Sequence, residues 1–146
     1  MSNLWSNTTA TSLEALPAGV VQTWCSIYSR SAWAGAVPNN VADAVWTESI
    51  GQLLARGAVM HVAVNPNKPD HWLGYALTER TGDGVPVVHL AFTKPTYRRG
   101  GVFRSLLQAA GIDRNAWLFF TFKCGPESKL YPAGRYEPSI ARRKLA

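Results

Sequence analysis

This chain is short of several things, and each shortage removes a class of function. Only two cysteines occur, Cys25 and Cys124, far apart and without a CxxC spacing, so no metal set is expected and two reduced thiols are the simplest account. No stretch reaches the roughly 18 consecutive apolar residues that a membrane helix needs. Met1 to Ala10 lacks the basic start and apolar middle of a secretory signal, so the chain reads as soluble and cytoplasmic. Internal repeats, low-complexity tracts and linkers are missing as well. At 146 residues and 47% hydrophobic content, the expectation is one domain over 1–146 with a real core. Within it, 1–16 reads as an irregular segment and 139–146 as a short basic tail.

Acidic side chains are scarce in the second half. Residues 1–93 carry four basic and six acidic side chains, whereas residues 94–146 carry eleven basic and three acidic, a net of +8. The whole excess of positive charge begins near residue 94. That pattern favours an anionic partner on the C-terminal half, with a merely solvated basic face as the plain alternative.

The apolar pattern predicts a mixed α/β order. A first helix starts at Pro17 and runs through Val20, Val21, Trp24, Ile27 and Tyr28; Trp33 to Pro38 is a loop. Asn40 caps a second helix that Gly57 ends. Three antiparallel strands follow over Ala58–Val64, His71–Arg80 and Val85–Thr93, separated by Asn65–Asp70 and by Thr81-Gly82-Asp83-Gly84. A third helix spans Gly101 to about Gly111. Trp117–Cys124 reads as a buried central strand, Pro126–Ala133 as a short helix and Tyr136–Arg143 as a last strand.

The most informative stretch is Pro95-Thr96-Tyr97-Arg98-Arg99-Gly100-Gly101-Val102-Phe103. A strand ends in a proline, a basic glycine turn follows, and a helix begins at once. Such a turn gathers unpaired backbone N–H groups at the positive end of a helix dipole, which suits a phosphate. The bland reading is a tight turn with solvated arginines.

These residues resemble the GNAT superfamily of acyl-CoA-dependent N-acetyltransferases, whose signature Arg/Gln-x-x-Gly-x-Gly/Ala joins the fourth strand to the third helix. Arg98 to Phe103 supplies it, with Gly101 at the fourth place and Phe103 where the family has Gly or Ala. A second block, Leu130-Tyr131-Pro132-Ala133-Gly134-Arg135-Tyr136-Glu137-Pro138, resembles the family's Leu-Tyr followed by Gly-Phe and Glu-Pro, with Arg135 in place of the glycine. The resemblance covers about 58–138. It implies an α/β GNAT-like acyl-CoA N-acyltransferase fold: a mixed, mainly antiparallel sheet with splayed central strands flanked by helices.

The resemblance also implies a chemistry. Backbone groups from Arg98, Arg99, Gly100, Gly101, Val102 and Phe103 would hold the pyrophosphate of acetyl-CoA, and Leu90 to Thr93, Phe92 and Thr93 among them, would run beside its pantetheine arm. A primary amine then attacks the thioester directly, and no metal is required. Tyr131 matches the tyrosine that protonates the departing thiolate, with a half-buried core tyrosine as the alternative. The base is less legible, because the fourth strand holds no carboxylate. His89 is its only titratable group, and its ordinary pKa of about 6.5 suits proton removal near neutral pH; a histidine simply hydrogen-bonded on the sheet is the competing account. Strict alternation would put His89, Ala91 and Thr93 on one face and Val88, Leu90 and Phe92 on the other. Glu79 is a second candidate base. His61 and His71 read as structural or solvent-facing.

Two departures qualify the implied activity. The family's asparagine near the end of the fifth strand falls at Cys124. Eight residues follow Pro138, too few for the closing pair of strands, so the acceptor pocket is expected to be open, completed by another chain, or unused. An open acceptor side suits a protein or another large amine. The alternative function is a structural or assembly component, in a homo-oligomer or a larger body such as a tailed-bacteriophage virion, where compact GNAT-like proteins occur; the chain would then be virion-associated. Nucleic-acid binding through the basic half lacks a motif.

Overall fold

The computed structural model describes residues 5–29, 39–122 and 130–142. Helices α1 (Val20–Ser29), α2 (Asn39–Ala55) and α3 (Val102–Ala109) flank one sheet. Its strands are β1 (Ser6–Ala10), β2 (Val59–Asn65), β3 (Lys68–Arg80), β4 (Pro86–Thr93), β5 (Leu118–Phe120) and β6 (Gly134–Tyr136), and they lie side by side in chain order. The pairs from β1 to β4 are antiparallel; β4–β5 and β5–β6 are parallel.

Alternation in β2 and β3 sends most of the large apolar side chains to one face and two alanines with Leu73 to the other. Met60, Val62, Tyr75 and Leu77 meet Val20 and Trp24 of α1 and Ile50, Leu53 and Leu54 of α2. On the opposite face, Ala63, Leu73 and Ala76 receive Val102 and Leu106 of α3. Leu107 of α3 packs with Val88, Leu118, Phe120 and Tyr131. Gly57 closes α2 and Gly111 follows α3, both with left-handed φ, as their places after each helix require. Among the described residues, no helix is long and apolar enough to cross a membrane.

Four expectations need correction. The 1–16 segment is not irregular throughout, because Ser6–Ala10 forms an edge strand paired with β2 and Leu13–Ala15 a short 3-10 turn. Only Ala10 of β1 is buried, so the strand carries no alternation to read. The fifth strand is three residues long, and Trp117 is 51% exposed. The last strand is Gly134–Tyr136 rather than 136–143. Pro138, with no N–H to donate, instead opens a 3-10 turn to Arg142. Ile140 is buried there, so this part is not a free tail. The expected loop at Trp33–Pro38, Cys124, and most of the expected helix at Pro126–Ala133 lie outside the described residues.

The fourth correction bears on the site. Leu77 pairs with Leu90 but Thr78 pairs with Val88, so His89 is the extra residue of a β-bulge. The bulge breaks strict alternation. Val88 and Ala91 pack toward α3, Leu90 and Phe92 toward α1 and α2.

Candidate active site

Strands β4 and β5 are paired through two residue couples, Val87 with Phe119 and Val88 with Phe120. A final rung runs from the Thr121 amide to the Val88 carbonyl at 3.1 Å. Beyond it β4 continues to Thr93 without β5 beside it, and a cleft of about 470 Å³ opens there. Its walls include Leu90 and Phe92 from one sheet face and Ala91, Val102 and Phe103 from the other. The cleft therefore draws on both sides of the sheet.

At the mouth, the chain turns from β4 into α3. Pro95–Tyr97 makes one 3-10 turn, and then Arg99 (φ 72°) and Gly101 (φ 89°) adopt left-handed backbone within three residues. Arg99 is the non-glycine residue with positive φ among those described. Such alternation turns successive amides to one side, forming an anion nest. The Arg98, Gly100 and Ser105 amides donate to the carbonyls of Pro95, Tyr97 and Gly101 at 3.3, 3.4 and 2.9 Å. The amides of Arg99 and of Gly101 through Arg104 have no acceptor among the described residues. Gly101, as N-cap of α3, offers no side chain to satisfy them.

Arg98, Arg99, Arg104 and Arg114 line this cleft, and no Asp or Glu does so among the described residues. Arg98 also braces the end of β4. Its Nε donates to the Thr93 carbonyl at 3.0 Å, and its guanidinium lies 5.8 Å from the Phe92 ring centre. The Thr93 carbonyl is thus already occupied. Phe103 stands edge-on to Tyr131 at 6.2 Å, and Tyr131 stacks on Phe120 at 5.3 Å. Tyr131 is 6% exposed and lines the cleft. The two sequence blocks therefore meet at one opening.

His89 does not offer its ring to that opening. Its side chain is fully buried. Nδ1 lies 2.9 Å from Thr121 Oγ1 and Nε2 lies 2.9 Å from Glu79 Oε1. Glu79 in turn receives the Arg56 guanidinium, whose Nε is 3.0 Å from Oε2, and Arg56 Nη2 donates to the Ile140 carbonyl at 2.7 Å. Burial pushes the His89 pKa below its ordinary value, although Glu79 pulls it upward. Burial alone would raise Glu79, but hydrogen bonds from His89 and Arg56 outweigh it and hold the carboxyl below its ordinary range. With His89 neutral, the positive charge facing Glu79 is that of Arg56. The two candidate bases are thus one network. Thr121, its third member, and Arg114 were missed in the sequence, where a threonine after an apolar run and an arginine in a loop carry no distinguishing signal. His61 is buried, which lowers its pKa, and His71 is exposed beside the Tyr97 hydroxyl at 3.3 Å.

No family model and no curated protein matches this chain. Solved structures do. A provisionally assigned acetyl transferase from Pyrococcus furiosus aligns at a TM-score of 0.54 and 16% identity, over 87% of this chain and 90% of that one. Aminoglycoside N-acetyltransferase AAC(6')-Iy, solved in complex with CoA, aligns at 0.47 and 17% identity, over 86% and 80%. A provisionally assigned GNAT-family acetyltransferase from Desulfovibrio desulfuricans aligns at 0.46 and 16% identity, covering 73% of this chain, which spans 63% of that one's length. The chain therefore shares its fold with the acetyl transferase-like protein of Pyrococcus furiosus.

Proposed function

We propose that this chain is an acetyl-CoA-dependent N-acetyltransferase that moves an acetyl group to a primary amine, with a protein or other large acceptor favoured. The observation that carries this reading is the run of unaccepted amides at Arg99 and Gly101–Arg104, beside a gap in the sheet. A diphosphate supplies the acceptors those amides lack among the described residues, and the α3 dipole and neighbouring arginines add attraction. The pantetheine arm then runs along β4 past Ala91, where strand-type pairing is free to form. The fit is chemical as well as spatial, since acidic groups are missing from the described lining.

Direct transfer asks for orientation, removal of a proton from the ammonium and a donor for the thiolate. Tyr131, against Phe103 and Phe120 at the gap, is the donor in this reading. His89 is the proton acceptor, kept neutral by burial and therefore available at pH 7.

Thermal unfolding with acetyl-CoA tests the proposal. At ~100 times its dissociation constant the ligand should add about 2.7 kcal/mol of stability. Tyr131→Phe should keep that shift and lower turnover. No shift at millimolar acetyl-CoA would remove the transferase reading and leave the assembly role, in a phage virion or elsewhere.

A further inference from the structure

The buried network lies beside the gap, with the buried Thr121 at the point where the strands part. Thr121 directly follows β5, and its amide makes the last rung to Val88 before the strands part. Val88, His89 and Phe122, which surround it, all line the cleft. Its hydroxyl lies 2.9 Å from His89 Nδ1 and 3.3 Å from the His89 carbonyl. Two acceptors for one proton are therefore present on the same residue. When His89 is neutral with Nε2–H donated to Glu79, Nδ1 accepts the Thr121 hydroxyl. When Nδ1 is protonated it donates to Thr121 Oγ1, and the hydroxyl proton turns to the carbonyl. Both states are satisfied without moving a heavy atom.

We propose that Thr121, His89 and Glu79 form a proton relay in which the Thr121 hydroxyl passes the acceptor's proton to a buried imidazole. This rests on the acetyl-transfer reading above. The ammonium N–H bond breaks and its proton goes to Thr121 Oγ1, while the Thr121 O–H proton goes to His89 Nδ1. The electron pair stays on the amine nitrogen, which attacks the thioester carbonyl; the C–S bond breaks with its electrons on sulfur. Tyr131 gives the thiolate a proton and is restored by the second proton lost from nitrogen. The imidazolium returns its proton to solvent by the same hydroxyl. Groups facing His89 are Glu79 from β3, the Arg56 cation after α2 and Thr121 after β5. The carboxylate offsets the imidazolium charge, and Arg56, itself tied to Ile140, fixes the carboxylate. His89 and Glu79 are positioning residues; Thr121 is the one that meets the acceptor.

The test uses the full chain, labelled with ¹⁵N-histidine. The expected spectrum shows His89 as the Nε2–H tautomer at neutral pH, and Thr121→Val shifts Nδ1 because its donor is gone. With acetyl-CoA and a millimolar probe amine such as tyramine, Thr121→Val lowers kcat by about 10²–10⁴-fold while acetyl-CoA affinity holds, and Thr121→Ser restores most of it. An Nδ1–H tautomer overturns the relay, because Nδ1 then already carries a proton and cannot take one from the hydroxyl. Equal kcat in the Val and Ser variants overturns it too. Failure of the wild-type chain to bind acetyl-CoA removes the transfer reading first and the relay with it.

Discussion

His89 spends its buried position on being neutral, and that choice has a pH signature. Its folded pKa lies below the ordinary 6.5, as does that of His61, so the unfolded chain binds more protons in that range. The associated stability is complete above about 6.5 and is lost as pH falls through the folded values. Glu79, held below its ordinary 4.5, adds a loss in the same direction at more acid pH. Urea midpoints should hold between pH 8 and about 6.5 and fall on further acidification to pH 4. In His89→Gln the decline between pH 6.5 and 5 should flatten, since one of its two histidine sources is gone. Gly134 imposes a different constraint: a Cβ there would lie 2.7 Å from Tyr131 Cβ and 3.1 Å from Phe120 Cδ1. A glycine at this place is what lets β6 lie against the tyrosine.

Helix α3 rests on a floor of small residues, and Gly74 is the tightest point of it. A Cβ at Gly74 would lie 2.7 Å from the Phe92 carbonyl oxygen and 3.2 Å from Val102 Cγ1. Backbone on one side and α3 on the other leave nothing flexible to yield. Gly74→Ala should therefore cost about 1–3 kcal/mol of stability by overpacking, read as a lower urea midpoint, and should weaken acetyl-CoA binding through the tilt of α3. The elements that were legible in sequence are those with local signals. Strands β2 to β4 have alternating apolar residues between turn-rich segments, and the α3 entry has proline and glycine at fixed places. What escaped reading depends on distant partners. Strand β1 is held by backbone pairing to β2, with Asn7 Nδ2 reaching Ser105 Oγ on α3 at 2.9 Å. The bulge at His89 arises from register against β3. The Thr121–His89 contact joins residues 32 apart, so no local pattern announces it.

Across the whole molecule, charge and cleft coincide. The net +8 of residues 94–146 includes Arg98, Arg99, Arg104 and Arg114, all at the opening. Exposed charges of this kind act over about a Debye length, ~8 Å at physiological salt, and are screened beyond it. Acetyl-CoA affinity should fall several-fold between about 0.05 and 0.5 M NaCl in calorimetric titrations, and Arg99→Gln should flatten that dependence. A salt-independent affinity would mean that the arginines do not meet the phosphates.

The opening between β4 and β5 has two sides, and this governs how a reaction there would be organised in time. On the proposed transferase reading, a donor threaded from the α3 side leaves the side lined by Leu90 and Phe92 for the recipient, so that the two can be resident together and meet in the middle of the sheet. Nothing then has to be stored on the protein between arrivals, and neither molecule has to leave before the other comes in.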